Sequence, residues 1–107
     1  IEEIAAVPGI DVIFIGTSDL SFSLGLRGKQ DDPAHREAVA RVVRAAQNRN
    51  IPVGRPAGSA AQIADLVKQG FLFFQAPSEL SLMAAGARPL LEAVGKTPAT
   101  QRERPLY

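Results

Sequence analysis

Cysteine is absent from the chain. That absence excludes disulfides, thiolate zinc sites and cysteine nucleophiles together, and it suits a reducing compartment, so a cytoplasmic location is the expectation. Tryptophan is absent too, and one Tyr with five Phe is too little for a platform on which nucleic-acid bases stack. Neither sign of charge dominates: 12 Lys and Arg stand against 11 Asp and Glu, and no two basic residues are adjacent. No field therefore favours nucleic acid or an anionic membrane surface. No apolar run approaches the ~20 residues that cross a bilayer. The opening Ile1-Glu2-Glu3-Ile4 has neither an initiator Met nor a signal-peptide pattern. The expectation is a chain that starts in mid-architecture, with an amino-terminal half missing.

What is present reads as one domain's worth of α/β sequence. Ile1 to Val7 predicts the last turns of a helix stopped by Pro8-Gly9, and Val12–Ile15 a first strand. A short helix is expected within Asp19–Leu26, then a polar loop over Gly28–Asp31. Asp32-Pro33 opens a helix, because Asp32 can cap free amides and Pro33 fits the first helical position. Ala38, Val39, Val42, Val43 and Ala46 give that helix a buried stripe. Glu37, Arg41, Arg44 and Asn48 line a solvated face, with Glu37 and Arg41 spaced as an ion pair.

Ile51–Gly54 is a weaker strand, since Pro52 cannot donate to a ladder. Ser59 and Gln62 have capping-box spacing for a helix that ends at Gly70, a left-handed cap. Phe71–Phe74 reads as a wholly apolar core strand, and Ser78 with Glu79 starts a last helix running to about Val94. Residues 1–95 form the folded part, and Lys96 to Tyr107 reads as an arm or disordered tail. The order αβαβαβα with continuous apolar strands is that of a parallel sheet covered by helices. Three parallel strands leave exposed edges, so either extensive dimerisation or an amino-terminal half is expected to complete them.

Asp19 stands just past the first strand, where parallel α/β architectures place their chemistry. By itself it reads as a helix cap or turn residue, with a ligand role as the alternative. Gly16 is explained equally by a tight turn or by close approach of backbone to a ligand, and Thr17 and Ser18 are turn residues by default. His35, in the first turn of a surface helix, is expected to be solvated. Arg55, at a strand's carboxyl end, could meet a carboxylate of substrate or of a neighbouring subunit.

Ile1 to Asp11 followed by Phe14-Ile15-Gly16-Thr17-Ser18-Asp19-Leu20-Ser21 and Ser23-Leu24-Gly25-Leu26 resembles the HpcH/HpaI aldolase/citrate lyase family. The likeness continues through Gly70-Phe71 and from Ser78 to Leu91. It implies a (β/α)8 TIM barrel, an architecture of roughly 250 residues, of which this chain would be the C-terminal part, the last three β/α units. It implies a class II aldolase that cleaves a 4-hydroxy-2-oxo acid to pyruvate and an aldehyde. By the same likeness Asp19 matches an aspartate ligand of a divalent metal, Mg²⁺, Mn²⁺ or Co²⁺. Gly16, Thr17 and Ser18 match the turn whose amides hold the carboxylate of a small 2-oxo acid substrate.

The family's second metal ligand, its substrate arginine and its proton-transfer histidine would lie upstream of Ile1, so the chain alone is expected to be inactive. No catalytic residue is assigned within it. A homo-oligomer, trimer or hexamer, is the implied assembly, with no nucleic-acid or membrane partner. Thr17 stands where the family usually has Pro, and Gln75–Leu80 and Arg55-Pro56-Ala57 also depart from its pattern, which bears on substrate preference. A citryl- or malyl-CoA-type lyase and a non-catalytic truncated-barrel oligomerisation module are the alternative readings.

Overall fold

A computed structural model describes residues 1–95, and the expected tail from Lys96 lies outside the described residues. The described chain divides into two compact units, Ile1–Ala76 and a second that begins at Pro77. The first unit runs α1 (Glu2–Ala5), β1 (Ile13–Phe14), α2 (Thr17–Ser23), α3 (Pro33–Gln47), β2 (Val53–Pro56), α4 (Ala60–Lys68) and β3 (Phe71–Gln75). Its strands form one parallel sheet in the order β1-β2-β3. Each strand thus lies beside the next in sequence, joined by a helical crossover, as in consecutive β/α repeats.

Local chemistry sets the helix boundaries. The Asp32 side chain accepts from the Ala34 amide at 2.9 Å and Pro33 occupies the first helical position of α3. Ser59 accepts from the Gln62 amide at 3.2 Å, while the Gln62 side chain accepts from the Gly58 amide at 2.7 Å, so two otherwise unpaired donors are satisfied reciprocally. Gly70 takes φ +93°, the left-handed turn that returns the chain from α4 to β3.

The core lies on one face of the sheet. Ile15, Val53 and Phe71 pack with Val43 and Ala46 of α3 and Leu66 of α4, and Val53 and Phe71 are each only 1% exposed. Burial of side chains this size is worth about 1.5–3 kcal/mol apiece. The ladder register pairs Phe14 with Gly54 and Gly54 with Phe73, which puts these three on the opposite face. Phe14 and Phe73 meet edge to face across Gly54, with ring centroids 6.0 Å apart. A Cβ on Gly54 would lie 2.6 Å from the Phe73 carbonyl oxygen, so only glycine lets the two rings close over the strand.

The structure departs from the sequence expectations at three places. β2 lies two residues later than read from sequence, because Pro52 contributes only its carbonyl, accepting from the Ile13 amide at 3.0 Å, and the ladder proper begins at Val53. The Phe71–Phe74 run is not uniformly core: Leu72 is 68% and Phe73 51% exposed, because a register irregularity opposite Val53 and Gly54 leaves Leu72 without a ladder partner and turns Phe73 to the face away from Phe71. Glu37 and Arg41 do not pair. Arg41 instead makes a two-pronged contact with Glu2 at 2.8 and 2.7 Å, tying α1 to α3, and Glu37 pairs with Arg44 at 2.7 Å. The fork of a guanidinium matches a carboxylate's two oxygens, which favours the longer-range partner.

In the second unit, Ser78 caps α5 (Glu79–Ala93), its hydroxyl accepting from the Ser81 amide at 3.3 Å. No residue of α5 is buried, and Leu80, Leu82, Met83 and Leu90 are exposed.

Candidate functional site

The carboxyl end of β1 becomes the start of α2 within two residues. The Ile15 amide donates to the Gly54 carbonyl at 2.8 Å, the last ladder contact of the strand. Gly16 then caps α2, and its carbonyl accepts from the Leu20 amide at 2.9 Å. The first amides of a helix have no partner within it, so the turn from Gly16 to Ser18 presents donors at the strand end.

Asp19 is the third residue of α2 and is exposed to solvent. Its carboxylate folds back over the turn: a Cβ on Gly16 would stand 2.6 Å from Asp19 Oδ2. Gly16 therefore leaves the space that the carboxylate occupies, and the acid sits beside the positive end of the helix. The four sequence-predicted residues, Gly16, Thr17, Ser18 and Asp19, thus form one contiguous turn, with Thr17 buried and Ser18 and Asp19 open to solvent.

The turn is held by three side chains from outside it. Ser21, fully buried, donates to the Ser18 carbonyl at 2.9 Å and accepts from the Gly28 amide at 2.9 Å. Gln30 donates its side-chain amide to the Ser18 hydroxyl at 3.2 Å. His35 places Nε2 2.9 Å from the Thr17 carbonyl. A carbonyl can only accept, so that nitrogen carries the proton. His35 is 2% exposed, which corrects the expectation of a solvated histidine. The signal was in the spacing: His35 falls four residues before Val39 and eight before Val43, on the stripe that α3 buries.

Arg55 is not brought to this turn. It lies half-buried with its guanidinium carbon 5.8 Å from the centre of the Phe71 ring, and burial lowers its pKa from the ordinary arginine value. Ser78 and Glu79 occupy the cap and first turn of α5, as expected. Among the described residues no three His, Cys, Asp or Glu side chains converge as a metal site, and no helix is long and apolar enough to cross a membrane.

Residues 1–85 match the family model described as HpcH/HpaI aldolase/citrate lyase. The chain is 31% identical over 94 residues to a 2-dehydro-3,6-dideoxy-6-sulfogluconate aldolase of Pseudomonas putida, covering 88% of this chain and 37% of that protein. It is 34% identical over 94 residues to a hydroxypyruvate/pyruvate aldolase of Paraburkholderia phytofirmans, covering 88% of this chain and 36% of that one. A crystal structure of an HpcH/HpaI aldolase/citrate lyase family protein from Burkholderia cenocepacia superposes with a TM-score of 0.78 at 33% identity, covering 89% of this chain and 37% of the other. The chain therefore spans a little over a third of the length of these relatives.

Proposed function

The chain belongs to the HpcH/HpaI aldolase/citrate lyase family, and we propose that it supplies the last three β/α units of a (β/α)8 barrel and part of a divalent-metal-dependent aldolase site. The reaction is reversible cleavage of a 4-hydroxy-2-oxo acid to pyruvate and an aldehyde. The observation that carries this reading is the Asp19 carboxylate standing over Gly16 at the carboxyl end of β1. Active sites of parallel barrels lie at that end of the strands.

The donor chemistry fits a hard cation in part. Mg²⁺ and Mn²⁺ take oxygen ligands, and Mg²⁺ sites commonly use one or two carboxylates and waters. Asp19 offers one such carboxylate, and no group of three His, Cys, Asp or Glu completes a site among the described residues, so this reading takes a further ligand from barrel sequence outside this chain. The ion, when bound, supplies Lewis-acid stabilisation of charge that develops on the keto oxygen.

The chain's own residues do the positioning. Amides of the Gly16–Ser18 turn bind the carboxylate end of the 2-oxo acid, because Gly16 allows backbone approach and the helix start favours an anion. His35, Ser21 and Gln30 hold that turn in one conformation, so the donors are already aimed when substrate arrives. Thr17 is buried and its side chain shapes the back of the turn rather than its mouth. The same reading takes the protein as a homo-oligomer, supported by the exposed apolar residues of α5.

The test is a barrel in which this chain replaces the corresponding segment of the Paraburkholderia hydroxypyruvate/pyruvate aldolase. Pyruvate-forming turnover should require added Mg²⁺ or Mn²⁺ and fall at least a hundredfold on Asp19→Ala, while the 107-residue chain alone shows none. Turnover that survives both a chelator and Asp19→Ala sinks the reading.

A further inference from the structure

Between α3 and the sheet lies a half-open cavity of ≈ 400 Å³, within the size range of small-molecule sites. Its walls combine two kinds of surface. Val39, Val43 and Phe71 give an apolar floor, and three arginines, Arg36, Arg44 and Arg55, also line it. No carboxylate lines it.

The charges are not equally spoken for. Arg44 is paired with Glu37 at 2.7 Å. Among the described residues no ion pair engages Arg36 or Arg55. Arg55 is also half-buried, and its Nε is buried without a hydrogen-bond partner. The Phe71 ring face, 5.8 Å away, answers part of its charge but accepts no hydrogen bond in the plane of the guanidinium. A guanidinium removed from water with a donor unmet is costly unless an oxyanion completes it. Desolvation acts in the same direction, lowering the Arg55 pKa.

We propose that this cavity binds a small dianion, a phosphate monoester or a dicarboxylate, with Arg55 and Arg36 on its charged groups and its carbon portion against Val39, Val43 and Phe71. Two uncompensated guanidinium groups match two negative charges. Gln30 and Gln69 are also in the lining, each with one side-chain N–H donated, to the Ser18 hydroxyl and the Asp65 carbonyl, and the other left for a remaining oxygen. The site is separate from the turn at the end of β1: none of Gly16, Thr17, Ser18 or Asp19 lines the cavity. His35 stands between them, contributing to the cavity wall while its Nε2 meets the Thr17 carbonyl. The proposal does not rest on the aldolase reading.

The experiment is isothermal titration of the 107-residue chain with inorganic phosphate and with glutarate, against acetate at matched ionic strength. Circular dichroism of each variant reports whether it is folded. Saturable binding of phosphate or glutarate at least tenfold tighter than acetate is expected. Arg55→Gln and, at the exposed start of α3, Arg36→Gln should each weaken it at least tenfold, and Asp19→Asn should leave it unchanged. Arg55→Lys, which keeps the charge but not the fork, should restore part of the loss even if Arg55→Gln does not fold. Absence of saturable binding overturns the proposal, as does loss of binding in Asp19→Asn with none in folded Arg36→Gln. Self-association that phosphate reverses would assign the cavity to carboxylates of a second copy and would overturn it equally.

Discussion

The two faces of the sheet are built from the same kinds of residue and meet opposite fates. On the face toward α3 and α4, Val53 and Phe71 are each 1% exposed. On the other, Phe14 and Phe73 remain 41% and 51% exposed, although they pack edge to face across Gly54 as interior aromatics do. Contiguous exposed apolar surface of this kind marks an interface or an unfinished core. Hydrophobicity specifies what a residue is suited to meet, and only the surrounding chain decides whether it meets it. Under the barrel reading, the open face is the interior of the cylinder and the covered face its outer wall.

Truncating one ring on each face should give the largest contrast. Phe71→Ala should cost about 3–5 kcal/mol, and Phe73→Ala only about 1 kcal/mol in the chain alone, read as urea midpoints by circular dichroism. Equal costs would mean that the faces do not differ as described. A middle-sized effect is expected from Gly54→Ala. Its new methyl would meet the Phe73 carbonyl oxygen and both rings, so a loss of about 1–3 kcal/mol follows; an unchanged midpoint would show that the strands can part to accept it.

The smallest effect lies away from the sheet, at the Glu2–Arg41 contact. Hydrogen bonding to Arg41 lowers the Glu2 pKa from 4.5 to about 2. A carboxyl whose folded pKa is depressed stabilises fully above its unfolded value, so the contact should be intact above pH 4.5 and be lost as pH falls through about 2. Both groups are exposed, so salt should weaken the contact. Amide exchange in α1 should accelerate across that pH window in the native chain and show no such step in Arg41→Gln. A step that persists in Arg41→Gln would assign the titration elsewhere.

Sequence and structure agree wherever a single local interaction decides. Asp32-Pro33, the Ser59–Gln62 box, the Gly70 turn and the Ser78 cap each concern backbone donors satisfied within a few residues, and all four stand where they were read. The Gly16–Asp19 turn was legible in part, since strand end and helix start follow one another directly, but α2 begins at Thr17, two residues before the helix expected within Asp19–Leu26. His35 was misread because a polar residue on a buried stripe gains its partner, the Thr17 carbonyl, from 18 positions away. The Phe71–Phe74 run was misread because its register against β2 skips Leu72, so Phe71 and Phe73, which simple alternation would put on one face, lie on opposite faces. Glu2 won Arg41 from Glu37 only once α1 lay beside α3.

The claim that the open face is a barrel interior has one direct measurement. The chain has no cysteine, so Phe73→Cys introduces a single thiol at the centre of that face. Its alkylation rate should be near that of a free thiol in the chain alone. In the barrel completed with the Paraburkholderia segments, mass spectrometry should find labelling at residue 73 slowed at least a hundredfold. Equal rates in the two contexts would show that the rest of the barrel does not cover this face, and would contradict the account.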